Sequence, residues 1–355
     1  MGFFNKIFGG GGNEGKKETS ADRILRVIKE KTTTECVTLI PSKGTTKPWE
    51  SKIGGMPYMP KGFDYPYEEA GSTVVTEGQA PALAASVAAG PFAGLDGGTT
   101  TVPSVAAGEA VEQVEERKLL PLRFLAQVNF SEMPPLDGFP TKGILQFYIA
   151  GENAHGLNFE NPEEQKGFRV IYHEEVVEDE TALLSVLPTE GVEYPDGFPV
   201  DGELRLNFEK SSMPMGGGDY RFDKLLLDAY NEANPDARVA SLDRAPEDEL
   251  DKVYDQLDMG GHRMGGYPFF TQLDPREYHQ ELKENSILLF QLDSDETDDY
   301  KIVWGDFGVC NFFIRPENLA KRILAGYCII GIATRKFKDI KIKTKSWRPV
   351  MTSNF

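Results

Sequence analysis

Cysteine is scarce in this chain. Cys36, Cys310 and Cys328 are the three present in 355 residues, too few for a disulfide framework and without a C-x-x-C pair to suggest zinc. Histidine is nearly as sparse, and His155, His173, His262 and His279 are too scattered for a histidine metal cage. No apolar run reaches the ~20 residues that span a bilayer. The opening Met1–Phe8 stretch is too short and wrongly flanked for a secretory signal, and Lys6 stands where a myristoylation signal has Ser or Thr. Positive charge is in deficit: 38 Lys and Arg against 56 Asp and Glu leave a formal charge of −18. Such a balance disfavours a polyanionic partner. The expectation is a protein of a reduced cytoplasmic compartment, with no metal, no cofactor, no nucleic-acid partner and no membrane contact.

Catalytic signatures are missing as well. Gly216-Gly217-Gly218 lacks the Lys-Ser/Thr of a phosphate-binding loop, and no G-x-S-x-G elbow occurs. The acidic run from Asp293 has Asp298 at the sixth position of a would-be calcium loop and Trp304 at the twelfth, where Gly and Glu are required. It reads as a solvated acidic turn. Cys310 lies within an apolar strand pattern and reads as a small buried hydrophobe.

What is present is an ordinary globular composition, 40% hydrophobic and 11% aromatic. Ser20 reads as a helix N-cap, with Asp22 in the first turn and Ile24, Leu25, Val27 and Ile28 on one face. Cys36–Ile40 reads as a strand ended by Pro41. Strands follow at Arg123–Asn129, Gly143–Ile149, Phe168–Tyr172, Ile287–Leu292 and Gly308–Ile314. Helices are expected at Phe222–Glu232 and Pro246–Leu257. Strands at both ends and helices in the middle point to an α+β fold with mostly antiparallel sheet.

The pattern also repeats. Ile53-Gly-Gly-Met-Pro57 matches Met264-Gly-Gly-Tyr-Pro268, Phe124–Glu132 matches Leu288–Glu296, and Gly143–Ile149 matches Gly308–Ile314. The order is the same, and Gln127 to Gly143 spans 16 residues where Gln291 to Gly308 spans 17. An internally duplicated unit is therefore expected, with repeats at about 50–150 and 260–315 in a single domain over 20–322, behind a flexible terminus at 1–19. One spacing breaks the match: Gly55 to Gln127 is 72 residues and Gly266 to Gln291 is 25. The excess coincides with the Ala, Gly, Thr and Val tract at 70–117, which reads as a disordered low-complexity loop insertion.

These blocks resemble the YwqG-like family. The resemblance is carried by Lys52–Tyr58, Leu122–Phe130, Gly143–Ile149, Gly266–Arg276 and Trp304–Ile314. It implies an intracellular bacterial protein, in a family named for a member of unknown function, and brings no catalytic residues. The resemblance stops at Arg322, where relatives continue in a pattern like Asp-Phe-Ser-Arg-Val-Leu-Tyr-Asn-Trp-Asp-Cys. Dropping the first base from one coding string for that peptide yields Ile-Leu-Ala-Gly-Tyr-Cys-Ile-Ile-Gly-Ile-Ala, the sequence from Ile323 to Ala333. Residues 323–355 also hold seven Lys or Arg against one Asp. The tail is thus expected to be frameshifted.

Candidate site residues follow from the repeats. Gln127 and Gln291 occupy matching places in apolar strands, where an amide must find a partner or lose roughly 1–3 kcal/mol. Such amides either bond across the sheet or line a cleft between the repeats. Lys52 and Arg263 stand two residues before the matched Gly-Gly turns, an arrangement that can hold an anion. Trp304 and Asp306 would complete the wall, and His262 is the histidine best placed for acid–base work. The expected function is non-catalytic binding or interaction, of an immunity-like or stress-regulatory kind. The expected partners are a protein or a small anionic ligand. The alternative is an enzyme acting on a small anionic substrate in a cleft between the repeats.

Overall fold

The computed structural model describes residues 18–70, 118–151, 155, 156, 158, 161, 163–194, 197–257 and 259–323. The expected flexible terminus before residue 18, nearly all of the low-complexity tract and the tail beyond Ile323 lie outside them. The chain divides into one unit of residues 1–68 and 121–355 and another of residues 69–120. Apart from residues 69, 70 and 118–120 in two short strands, all that follows concerns the first.

Helix α1 (Ser20–Thr32) begins with a reciprocal capping box: the Asp22 N–H donates to Thr19 Oγ1 at 3.1 Å, and the Thr19 N–H donates to Asp22 Oδ2 at 3.0 Å. Thr19, rather than the expected Ser20, is the cap. Ile24, Leu25, Val27 and Ile28 are buried, as their helical spacing requires. They pack with Phe222, Leu226 and Tyr230 of α2 (Phe222–Ala233) and Val253 of α3 (Glu247–Gln256) into a helical layer. A fourth helix, α4 (Pro316–Ala320), follows the last strand.

The strands are β1 (Thr34–Lys43), β2 (Lys52–Gly54), β3 (Tyr67–Ala70), β4 (Lys118–Pro121), β5 (Arg123–Asn129), β6 (Ile144–Ile149), β7 (Phe168–His173), β8 (Glu203–Met213), β9 (Arg263–Gly265), β10 (Ile287–Asp293), β11 (Asp295–Glu296), β12 (Lys301–Ile302) and β13 (Val309–Ile314). Nine of them form one antiparallel sheet in the order β13-β10-β9-β1-β8-β2-β5-β6-β7. The expected class, helix plus mostly antiparallel sheet with helices in mid-chain, describes this architecture.

Two local readings change. β1 continues through Pro41 to Lys43. Pro41 faces Leu206, whose N–H donates to Ser51 on the far side, so the pair exchanges no hydrogen bond and the missing proline donor is not needed. β8 had not been expected. It is the longest strand, and its alternation of Leu204, Leu206 and Phe208 gives way to Glu209 and Lys210, which conceals the period of two.

The sheet curls until its far ends meet. Phe147 on β6 stacks on Phe290 of β10 with centroids 4.4 Å apart and lies 4.8 Å from Phe312 of β13. Phe168 on the edge strand β7 reaches Phe312 on the opposite edge strand at 6.2 Å. These rings, with Leu125, Leu145, Leu289 and Trp304, form the main core. Each fully buried aromatic contributes about 2–3 kcal/mol.

Candidate functional site

Lys52 and Arg263 open β2 and β9, and each strand ends in a pair of glycines. Gly54 and Gly55 have φ of 65° and 71°, and Gly265 and Gly266 both have 69°, a region that favours glycine. A Cβ on Gly54 would stand 2.2 Å from the Gly202 carbonyl oxygen, and one on Gly266 would stand 2.7 Å from Met213 Sδ. These turns send the chain back over the sheet, where the buried polar side chains receive it.

On one side, Lys52 pairs with Gln127 and Gln127 with Gln146 across β2, β5 and β6. All three side chains are fully buried. Lys52 Nζ donates to the carbonyls of Lys47 at 2.8 Å and Met56 at 2.9 Å. Gln127 Oε1 accepts the Tyr58 N–H at 2.8 Å, and its Nε2 donates to Pro48 O at 2.7 Å and Glu50 O at 2.8 Å. Gln146 Nε2 donates to Tyr58 O at 2.8 Å. Burial pushes the Lys52 ammonium down to about 8, against the pull of Glu203, Glu50 and Glu132.

On the other side, Arg263 pairs with Gln291 and Gln291 with Asn311 across β9, β10 and β13. Arg263 Nη1 donates to Tyr267 O at 2.9 Å, and Nη2 donates to Met259 O and Gly260 O. Gln291 Oε1 accepts the Phe269 N–H at 2.8 Å, and its Nε2 donates to Gly261 O at 2.6 Å. Asn311 Nδ2 donates to Phe269 O at 2.8 Å. In both places a buried cation and a glutamine bond backbone groups of adjoining loops, while Gln146 also meets Gln127, Tyr148 and His173, and Asn311 Oδ1 has no partner among the described residues. Both cations are buried, and each bonds carbonyls of its adjoining loop.

His262 is buried beside the second set. The Asp293 N–H donates to its Nδ1 at 3.0 Å, which assigns the ring proton to Nε2, and Nε2 faces Asp295 Oδ2 at 3.5 Å. Asp295 also accepts from Tyr300 Oη at 2.6 Å, and the hydrogen bond from His262 holds its carboxyl below the usual range. Both ring nitrogens are thus engaged. Trp304 is fully buried, edge-on to His155 at 5.4 Å, while Asp306 is exposed. The structure therefore gathers His262, Arg263 and Gln291 around one loop, places Lys52 and Gln127 in a separate set, and leaves Asp306 on the surface. Among the described residues no cluster of His, Cys, Asp or Glu is arranged to hold a metal ion, and no helix is long and apolar enough to cross a membrane.

Sequence reasoning passed over two features. Arg276, 2% exposed, is clasped by Asp274 through Nε at 3.0 Å and Nη2 at 2.7 Å, lies 3.5 Å from Asp219, and covers the Phe313 ring at 4.2 Å. The signal was the Asp274-Pro275-Arg276 triplet in a matched block. The second is a cavity of about 490 Å³ between Asp64–Tyr67 and Arg169–Tyr172. A contact between two such distant segments leaves no sequence signal.

No curated protein matches the chain. A family model described as a domain of unknown function (DUF1963) matches residues 51–328, which takes in both polar sets, the cavity and the buried Arg276 cluster. The chain belongs to that family.

Proposed function

We propose that this chain is a cytoplasmic, non-catalytic binding protein of the YwqG-like kind, built from an internally duplicated unit. The observation that carries this reading is the fate of the repeated polar residues. Lys52, Gln127 and Gln146, like Arg263, Gln291 and Asn311, end on backbone groups of their own loops. Polarity used in this way stiffens a scaffold. The duplication is supported by the matching antiparallel strand pairing of the two sets. It is supported further by register shifts at matching places, between Phe124 and Ala126 and between Leu288 and Phe290. The tail after Arg322 belongs to the same proposal as a frameshifted ending. Resequencing tests it: a single-base insertion near the Arg322 codon should restore a family-like ending, and its failure to do so overturns that part.

The second reading is an enzyme acting on a small anion with His262 as acid–base. It rests on the chain from His262 through Asp295 to Tyr300, in which Asp295 is 40% exposed. Against it, the nitrogen that would accept a proton already accepts a hydrogen bond from the Asp293 backbone N–H. Affinity capture from lysate with wild type and His262→Gln, read by mass spectrometry, separates the two. The binding reading predicts the same protein partner on both baits. Conversion of a small anionic compound by wild type, lost in the variant, would overturn it.

A further inference from the structure

We propose that the free edge of β7 is a docking slot for an extended peptide that carries a carboxylate side chain. Among the described residues β7 has one sheet neighbour, β6. Its other edge faces the cavity of about 490 Å³, lined by four consecutive strand residues, Arg169 to Tyr172. Side chains alternate between the two faces of a strand, so four in a row can line one space where that space takes in the backbone along the strand's edge. The opposite wall, Asp64 to Tyr67, is also four consecutive residues. The slot follows β7 for about 10 Å and has room for roughly three or four extended residues.

The backbone is set for pairing. The Gly167 carbonyl takes the Ala150 N–H on the β6 side, whereas the Val170 N–H turns away from β6 and meets only Gln165 Oε1, at 3.4 Å. By the alternation of an antiparallel ladder, the Tyr172 N–H points the same way. A segment laid along this edge would gain main-chain hydrogen bonds, the usual means of strand addition.

Charge selects the occupant. Arg169 Nε is buried and has no hydrogen-bond partner among the described residues. A buried guanidinium N–H of this kind suits a carboxylate, which can accept two parallel bonds from the fork. Asp64 on the facing wall suits a chain that also offers N–H groups. Tyr67, exposed and packed edge-to-face on the buried Tyr65 at 6.1 Å, supplies an aromatic surface for a side chain of the peptide.

The proposal rests on the binding-protein reading and can fail without it. Panning a random heptapeptide display library against the full chain and against Arg169→Gln is the first arm. Residue-resolved amide exchange with the enriched peptides is the second, and it needs no variant. Enrichment of β-branched or aromatic sequences with one Asp or Glu is expected, with affinity falling about tenfold in Arg169→Gln. Exchange should slow at Val170 and Tyr172. Peptides that bind but protect another segment would overturn the slot while leaving the binding-protein reading in place. No enrichment over Arg169→Gln would overturn it too. A dimer in solution, with Val170 and Tyr172 protected before peptide is added, would give the edge to a second copy and overturn the peptide assignment.

Discussion

Gln127 and Gln291 do the same work on two sides of one sheet. Each accepts a backbone N–H at 2.8 Å, from Tyr58 and from Phe269, and each returns its amide N–H to a loop carbonyl. A glutamine inside an apolar strand would be a liability without such partners. Here it ties the chain that follows a Gly-Gly turn to the strand beneath it. The sheet is thereby braced on both sides of its central β1–β8 pair, and what it presents at its edges is held still.

Arg276 should matter to stability more than any surface cation. Replacing it with Met leaves Asp274 and Asp219 buried with less compensating charge, although Arg221 still meets Asp219 at 2.6 Å. Loss of one partner from a buried ion cluster costs about 3–5 kcal/mol. Thermal unfolding of Arg276→Met should show a loss of that order, and Asp274→Asn in the same background should restore part of it.

His173 should make the fold sensitive to mild acid. Burial pushes its imidazole down to about 4, from 6.5, while Nε2 contacts Gln146 Oε1 at 2.9 Å. Between those two values the unfolded chain holds a proton that the folded chain does not, so stability falls as pH drops through that window. Urea midpoints at pH 7 and pH 5 test this. Wild type should lose more stability between them than His173→Gln.

Much of this architecture is legible in the sequence, and the gaps have physical causes. The strands from Arg123, Ile144, Phe168, Ile287 and Val309 are rich in branched or aromatic residues, and they fold where they read. β8 escapes because its second half is polar, with Glu209, Lys210 and Ser212 exposed, so its alternation survives only at Leu204, Leu206 and Phe208. Lys52 and Arg263 read as cations free to hold an anion because the carbonyls they bond, Lys47, Met56, Met259 and Tyr267, come from loops with no pattern of their own. His262 stands out by its position before the glycine turn. Its commitment to Asp293 becomes visible only when β9 and β10 are side by side.

The low-complexity tract should be removable. The chain before it meets the chain after it: the Leu122 N–H donates to Pro66 O at 2.9 Å, and Tyr65 Oη donates to Leu122 O at 2.8 Å. Joining points so close needs only a short linker, and loop-closure entropy changes slowly with length. Replacing residues 71–116 with a few Gly and Ser residues should leave the urea midpoint nearly unchanged. A large fall would mean that the tract contributes to the core.

The central claim is that the repeated buried polar residues brace backbone and do no chemistry. Urea unfolding of Gln127→Leu and Gln291→Leu, run beside capture of a bound partner or peptide, tests it most directly. Each variant strands a backbone N–H and at least one carbonyl, so each should lose about 2–3 kcal/mol. Because the two sets lie on separate strands, the double variant should lose close to the sum, while any folded fraction binds as wild type does. Wild-type stability in both variants, together with an activity abolished by either, would contradict the account.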